Sequence, residues 1–489
     1  MTRRANHLHY IVLVFLIVIG YGLRFAYLDR DMRYDESLTV YQFASKNIPT
    51  IVGDYSMMNN HILHNLFVHF TFYNLGRDPI FVRLPVFIAG ILLIPMAYVA
   101  GTRFYDRTVG LITASLVAVY PILIDFSVNA RAYNILALIV LWMFVLAYEL
   151  RKHNDTGKWL LLSVLAAAGF FAVPTMFYAM GIVALWLLFS IWFENSGEQR
   201  TELLKNYVVS MILGAILTLL AYTPVIVFNG IDKIINNDWT RPLPPAEFYP
   251  EFNLVLGRIW QHITWGVPDL MVFTLCVCLA VSVIFHRKFE KKLLPLLPFM
   301  IVWILPILLI QRVNPFRRTW LFAVPLLLML TAAGISYLLD RFKLKQMNLI
   351  AAGSAILSLV MFAYILQSGI LITSEHTVRA PDAEEGAILL ADIMTTHDQV
   401  ILSFPYSYTV LYYSLAYEFP LGYREFGNAE SHDTETEDSG LQYVYIFYPK
   451  SDEPALAVQS PYTDEELDNA EIVAEWDFGI LRRIPLNSD

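Results

Sequence analysis

Residues 159–193 read WLLLSVLAAAGFFAVPTMFYAMGIVALWLLFSIWF, a stretch without a single charged residue. A helix needs about 20 apolar residues to cross a bilayer, so this run is too long for one crossing and can be cut into two short ones. Val173-Pro174-Thr175 supplies the cut, because proline withholds a backbone donor there. Two membrane helices joined by a tight turn are therefore predicted. The same reading extends in both directions along the chain. Eleven spans are expected, at 9–28, 83–101, 110–126, 132–150, 159–174, 176–193, 206–228, 268–285, 293–311, 319–339 and 348–370, each bounded by charges or by Pro and Gly.

Composition agrees with this. Of the 489 residues, 57% are hydrophobic and 16% charged, against roughly 25% charged in an ordinary soluble domain. The two cysteines, Cys276 and Cys278, lie in one apolar run, which excludes a disulfide-stapled secreted scaffold. The net charge of −9 conceals an asymmetry: residues 371–489 hold 23 acidic and 5 basic side chains, a balance of −18, which leaves +9 for residues 1–370. A basic membrane domain over 1–370 and an acidic, water-soluble domain over 371–489 are expected. No nucleic-acid partner is expected.

Lys and Arg fix the orientation. Arg3-Arg4, Arg103 and Arg107, Arg151 to Lys158, Arg200 to Lys205, Arg287 to Lys292, and Arg341 to Lys345 all fall in short segments on one side. That side, with the N-terminus, is expected to be cytoplasmic. The first apolar run is too long for a signal-peptide core and is kept as a span. An odd number of spans then puts the tail on the extracytoplasmic face of a multi-pass cell-membrane protein. Two outer loops, 29–83 and 229–267, are long enough to carry chemistry. The tail reads as a small α/β domain. Gln399–Phe404 and Leu441–Tyr448 are its expected strands, Ser407–Tyr417 a helix, Ala470–Pro485 a closing hairpin, and Asn428–Gly440 an acidic loop.

Four clusters could carry chemistry, each beside a plainer reading. Arg33-Tyr34-Asp35-Glu36-Ser37 sets two carboxylates just beyond the first span. They can serve as a base and its orienting partner, or Asp35 can cap a helix over Glu36–Ser45. Asn59-Asn60-His61-Ile62-Leu63-His64 opens a helix expected to reach Tyr73, with His61 and His64 on one side. Those two imidazoles with Asp35 could bind a divalent metal, contact sugar or phosphate, or serve structure alone. In Asp125-Phe126-Ser127-Val128-Asn129-Ala130-Arg131-Ala132-Tyr133, Arg131 begins a span, where a guanidinium suits a phosphate, snorkels to the headgroups, or pairs with Asp125. Gln311 to Trp320 carries Arg312, Arg317 and Arg318 in a short outer loop, against the charge trend, to hold an anionic headgroup or to anchor in lipid. Lys46 is a weaker candidate of the same kind. Neither a Walker phosphate loop nor a glycine-rich dinucleotide fingerprint occurs, so a sugar used outside would arrive on a lipid carrier.

The order of these motifs resembles the GT-C superfamily of polyprenyl-phosphate-dependent glycosyltransferases, in the branch of protein mannosyltransferases and lipid A aminoarabinose transferases. The resemblance spans about Tyr10–Tyr337 and rests on the Asp35-Glu36 pair, Leu75-Gly76, Arg83-Leu84-Pro85 leading into Phe87-Ile88-Ala89-Gly90, Ala130-Arg131-Ala132-Tyr133, and Phe316-Arg317-Arg318-Thr319-Trp320 with Pro325. The family often shows Pro-Pro-Leu where this chain has Asn60-His61-Ile62-Leu63. The resemblance implies a GT-C-like membrane fold and transfer of a sugar from a polyprenyl-phosphate donor to a protein, lipid or glycan acceptor. It implies that Asp35 is the general base and that Glu36 positions it. Arg131, Arg317 and Arg318, with Lys46, would hold the donor phosphate. His61, His64, Asn60, Tyr133 and Asp125 would line the pocket. A base on one side of the sugar and a leaving group on the other imply inversion. Two other classes fit the composition: a transporter or flippase of lipid-linked sugars, which would need charges deep in its spans, and a non-catalytic membrane assembly protein that works through its tail.

Overall fold

The computed structural model describes residues 2–57, 59–235, 241–289, 293–419, 421, 423–425, 442–451 and 470–485. The chain forms two compact units. One holds Met1–Leu28, Ile48–Phe67 and Arg83–Ser374; the other holds Asp29–Asn47, Val68–Val82 and Glu375–Asp489.

The first unit is helical. Among the described residues, seven helices are long and apolar enough to cross a membrane: His7–Phe25, Pro79–Phe104, Tyr133–Leu150, Met176–Glu194, Gly197–Asn229, Arg317–Arg341 and Met347–Ser368. An eighth crossing results if Arg107–Val119 and Pro121–Val128, bent by 60° at their junction, are one broken span. Thr156–Ala172, Asp269–Ile284 and Leu296–Gln311 are apolar but shorter. Every expected span lies on one of these helices, and the predicted turn at Val173-Pro174-Thr175 separates Thr156–Ala172 from Met176–Glu194. The 33-residue helix Gly197–Asn229 begins well before the expected span at 206.

The helix Arg107–Val119 is buried from Thr108 to Val119. Two of its hydroxyls are satisfied within the helix, Thr113 Oγ1 donating to Val109 O at 2.7 Å and Ser115 Oγ to Ile112 O at 2.9 Å, as hydrocarbon surroundings require. Large apolar side chains such as Val18, Leu219, Leu220, Val227, Leu270 and Ile310 are instead exposed, a surface suited to hydrocarbon rather than water. At the ends of Tyr133–Leu150 and Met176–Glu194, Arg151 pairs with Glu194, and the two side chains are 2% and 1% exposed. Asn195 Nδ2 donates to the Arg151 carbonyl at 2.8 Å.

In the second unit five strands form one sheet in the order β2-β1-β3-β5-β4. They are β1 (Asp398–Leu402), β2 (Tyr423–Glu425), β3 (Tyr443–Pro449), β4 (Glu471–Glu475) and β5 (Gly479–Pro485). β1 runs parallel to β2 and β3, and β5 pairs antiparallel with β3 and β4. The helix Tyr406–Ala416 connects β1 to β2 on one side, while β3 lies on the other side of β1. Val444, Ile446, Tyr448, Ile480 and Ile484 pack with Ile401 on one face. The expected strands, helix and hairpin are all present within a residue or two; β2 and the helix Ala383–Ile393 are additional. The acidic loop Asn428–Gly440 lies outside the described residues.

Removing one member of a buried ion pair leaves the other uncompensated. Glu194→Ala is expected to cost about 3–5 kcal/mol, read as a lower melting temperature of the purified protein; an unchanged melting temperature would show that the pair contributes no stability.

Candidate functional site

The helix Arg107–Val119 stops because Pro121 has no N–H to continue it, which strands its last carbonyls. Arg24, fully buried near the end of the first span, meets them. Its Nη1 donates to Ala118 O and Gly20 O, both at 2.9 Å, its Nη2 approaches Val117 O at 3.4 Å, and its Nε donates to Ser127 Oγ at 3.0 Å. A cation at the C-terminal end of a helix is also favoured by the helix dipole. Ser127 Oγ in turn donates to Leu123 O at 2.6 Å and accepts from Asn134 Nδ2 at 2.7 Å. One guanidinium thus pins both arms of the broken helix. Gly90 makes room for it: a Cβ there would stand 2.1 Å from Ser127 Oγ and 3.1 Å from Arg24 Nε.

The pinned segment delivers Arg131, which is 1% exposed. Arg131 Nη2 donates to Asn59 Oδ1 at 2.9 Å and stands 3.4 Å from His61 Nε2. His61 Nδ1 accepts the Ala132 N–H at 3.1 Å. Burial first, then the charges of Arg131, His64 and Arg318, hold the His61 pKa well below 6.5. The ring is therefore neutral, and since Nδ1 is an acceptor its proton belongs on Nε2. An N–H of His61 and the guanidinium of Arg131 then stand side by side, two donors suited to one oxygen anion.

Arg318, half-buried, joins the group by donating from Nε to Tyr133 Oη at 3.0 Å, with its guanidinium 4.5 Å from the Phe316 ring. The Tyr133 ring meets His61 edge-on at 5.3 Å and Phe126 at 5.6 Å. The loop that carries His61 is clasped by amides. Asn60 Nδ2 donates to Ile51 O at 2.8 Å and Asp54 O at 2.6 Å, and its Oδ1 accepts from Asn65 Nδ2 at 2.8 Å. Asn229, ending the helix Gly197–Asn229, donates to Gly53 O and accepts the Tyr55 N–H at 3.3 Å.

Of the residues expected at the site, His61, Arg131, Tyr133 and Arg318 come together within the first unit. Asn60 is turned to the loop instead, its donors and acceptor taken up by protein, because that loop has no regular ladder to satisfy its carbonyls. His64 is buried, with Nδ1 3.3 Å from Asn65 Oδ1. Asp125 is buried and accepts from Ser374 Oγ at 2.9 Å. Arg317 is exposed, unlike its neighbour Arg318. Among the described residues no three His, Cys, Asp or Glu side chains stand together as a metal ion would need, so Asp35, His61 and His64 are not a preformed trio.

Asp35, Glu36 and Lys46 belong to the second unit. The expected helix 36–45 is instead an α-helical turn, Tyr34–Thr39, continued by a wider π-helical turn, Val40–Ala44. Arg33 is its N-cap, and the capping carboxylate is Glu36, not Asp35: Glu36 is fully buried and its Oε2 accepts the Arg33 N–H at 3.2 Å. Asp35 is left half-buried on the same turn. Arg33 Nη1 reaches Thr377 O and Oγ1 at 3.4 and 3.3 Å, while the Tyr34 N–H donates to Val378 O at 3.1 Å. Lys46 is exposed, its ammonium 4.9 Å from the centre of the Tyr41 ring.

Arg24, Asn59, Ser127, Asn134 and Asn229 build the site without having been singled out as part of it. An arginine inside an otherwise apolar span was the signal for Arg24; nothing in the sequence marks Asn229.

Residues 61–228 match the family model of the dolichyl-phosphate-mannose-protein mannosyltransferases. No curated protein sequence matches. Among solved structures, the chain is similar to ArnT from Cupriavidus metallidurans in the apo state, at 12% identity and a TM-score of 0.64, covering 96% of this chain and 97% of that one. The same protein bound to undecaprenyl phosphate gives 14% identity and a TM-score of 0.55 over the same shares. The archaeal oligosaccharyltransferase AglB from Archaeoglobus fulgidus, in complex with an inhibitory peptide and a dolichol-phosphate, gives 11% and 0.53, over 90% of this chain and 69% of that one. The chain therefore shares the fold of these solved structures, and residues 61–228 carry the sequence pattern of that mannosyltransferase family.

Gly90→Ala forces the Phe126–Val128 segment or its neighbour to shift. It is expected to cost about 1–3 kcal/mol as an overpacking change, seen as a lower melting temperature. Gly353→Ala, in the interior of Met347–Ser368 with nothing within 4 Å of the new methyl group, should not lower the melting temperature and is expected to raise it slightly.

Proposed function

We propose that this chain transfers a sugar from a polyprenyl-phosphate carrier to a hydroxyl or amino group of an acceptor at the outer face of the membrane, with inversion at the anomeric carbon. The observation that carries the reading is the group of buried Arg131, buried neutral His61 and half-buried Arg318 in the membrane unit. A guanidinium offers a phosphate two parallel donors, and a lipid phosphate supplies three oxygens with a tail that stays in hydrocarbon. The sugar C1–O bond to the phosphate breaks, and the carrier phosphate leaves with its charge compensated by Arg131 and Arg318 and by the N–H of His61. The bond from C1 to the acceptor atom forms on the opposite side of the sugar. Asp35 takes the acceptor proton as that bond forms. Glu36 does not share this work; it holds the turn on which Asp35 stands.

The short cationic loops support a cytoplasmic N-terminus, which puts 371–489 on the outer side. This orientation matches the chemistry, because a lipid carrier brings the sugar to a compartment without nucleotide sugars.

Membranes containing the protein, given a labelled polyprenyl-phosphate sugar pool, should form a labelled product that Asp35→Asn abolishes, a loss on the order of 100-fold or more, with normal expression and melting. Near-normal labelling by that variant would remove Asp35 from the role of base. A reporter fused after residue 489 should be active only outside the cytoplasm.

A further inference from the structure

Beside Asp35, the second unit carries an aromatic shelf to which the reaction as described gives no part. Phe404 lies two residues beyond the end of β1 and is 52% exposed. The Tyr34 ring meets Phe404 edge-on at 4.7 Å and Tyr408 at 5.5 Å. Tyr408 is buried beneath them, 6.2 Å from the Tyr41 ring, and its hydroxyl accepts from Gln42 Nε2 at 3.0 Å. Tyr34 and Tyr41 are half-exposed, and the exposed Lys46 covers Tyr41. All six residues belong to the same unit as Asp35.

The position of this shelf on the sheet is that of a ligand site. The chain leaves the C-terminal end of β1, crosses by a helix to β2 on one side, and later returns to β3 on the other. In open α/β sheets such a reversal opens a crevice outside the carboxyl ends of the strands, and ligands bind there. Phe404 stands at that end of β1, just beyond the Ser403 N–H that donates to Phe447 O at 3.0 Å.

We infer that Tyr34, Tyr41 and Phe404 form an acceptor subsite for a pyranose ring, so that the acceptor is itself a carbohydrate or carries one. A pyranose presents a face of C–H groups, which stacks on the electron-rich faces of aromatic rings. It also presents a rim of hydroxyls, which suits amide, phenol and ammonium groups such as Gln42, Tyr41 and Lys46. A peptide acceptor would ask for a free strand edge or side-chain pockets, and the shelf stands on a loop and two helical turns. A phosphate would ask for clustered cations, and Arg33, the nearby guanidinium, is taken up by Thr377. Tyr34 and Asp35 are consecutive on one helical turn, so the shelf and the proposed base are held by the same element. This last link rests on the proposed role of Asp35; the binding site does not.

The test uses the full-length protein in lipid nanodiscs prepared without sugar-headed detergent. Methyl glycosides of glucose, mannose, galactose and N-acetylglucosamine are the probes, read by saturation-transfer difference NMR. At least one glycoside should show saturation concentrated on its ring C–H protons. Phe404→Ala, at unchanged melting temperature, should reduce that signal about fivefold, Tyr41→Ala should reduce it also, and Phe404→Trp should retain it. Asp35→Asn should leave it within about twofold, so failure of the catalytic reading and failure of the subsite are told apart. Absence of saturation from all four glycosides, or equal saturation in Phe404→Ala, overturns the proposal.

Discussion

A helix that must break inside a membrane exposes carbonyls that lipid cannot satisfy. Here the break at Pro121 is closed by a cation. Arg24 reaches from another helix, neutralises the stranded end of Arg107–Val119 and holds Ser127 beyond the bend. Everything downstream depends on that contact, since the segment it fixes runs straight into Asn129, Arg131 and Tyr133. The cost of burying Arg24 is offset by four acceptors, two of them, Val117 O and Ala118 O, carbonyls stranded at the helix end.

The second arm of the site is held in the same economical way. Asn60 and Asn229 use their amides as short stretches of backbone, bracketing Ile51 to Tyr55 from two sides. That loop has no ladder of its own, and the clasps fix where His61 stands. The charge state of His61 follows from its position: buried beside two guanidiniums, it remains neutral, keeps one acceptor for the Ala132 amide and holds one donor alongside those of Arg131. Two positive groups side by side would repel, whereas a guanidinium beside a neutral N–H makes a donor pair.

Much of this was legible in the chain. The run 159–193 and its proline announced a membrane hairpin, since length and hydropathy act locally. The alternation of β-branched and aromatic residues announced β1, β3 and the hairpin of the tail. Arg131 and Arg318 stood out because charges at the ends of apolar runs are costly, and Tyr133 through the family resemblance. What escaped were effects of packing between distant segments. Asn60 looked like a sugar contact and is a loop clasp, and Glu36 looked like a partner in catalysis and is a cap. Arg317 and Arg318 are indistinguishable as letters, yet only a folded turn decides which one meets Tyr133. The 3-residue strand β2 is too short to leave a pattern.

The account stands or falls on what the Arg131 group holds. The direct measurement is a cryo-electron-microscopy structure of the protein saturated with undecaprenyl phosphate. Phosphate density in hydrogen-bonding contact with Arg131 and Arg318 and with Nε2 of His61, the isoprenoid tail running out to lipid, is the result predicted. A phosphate seated elsewhere, with that group unchanged and its donors facing protein alone, would contradict it.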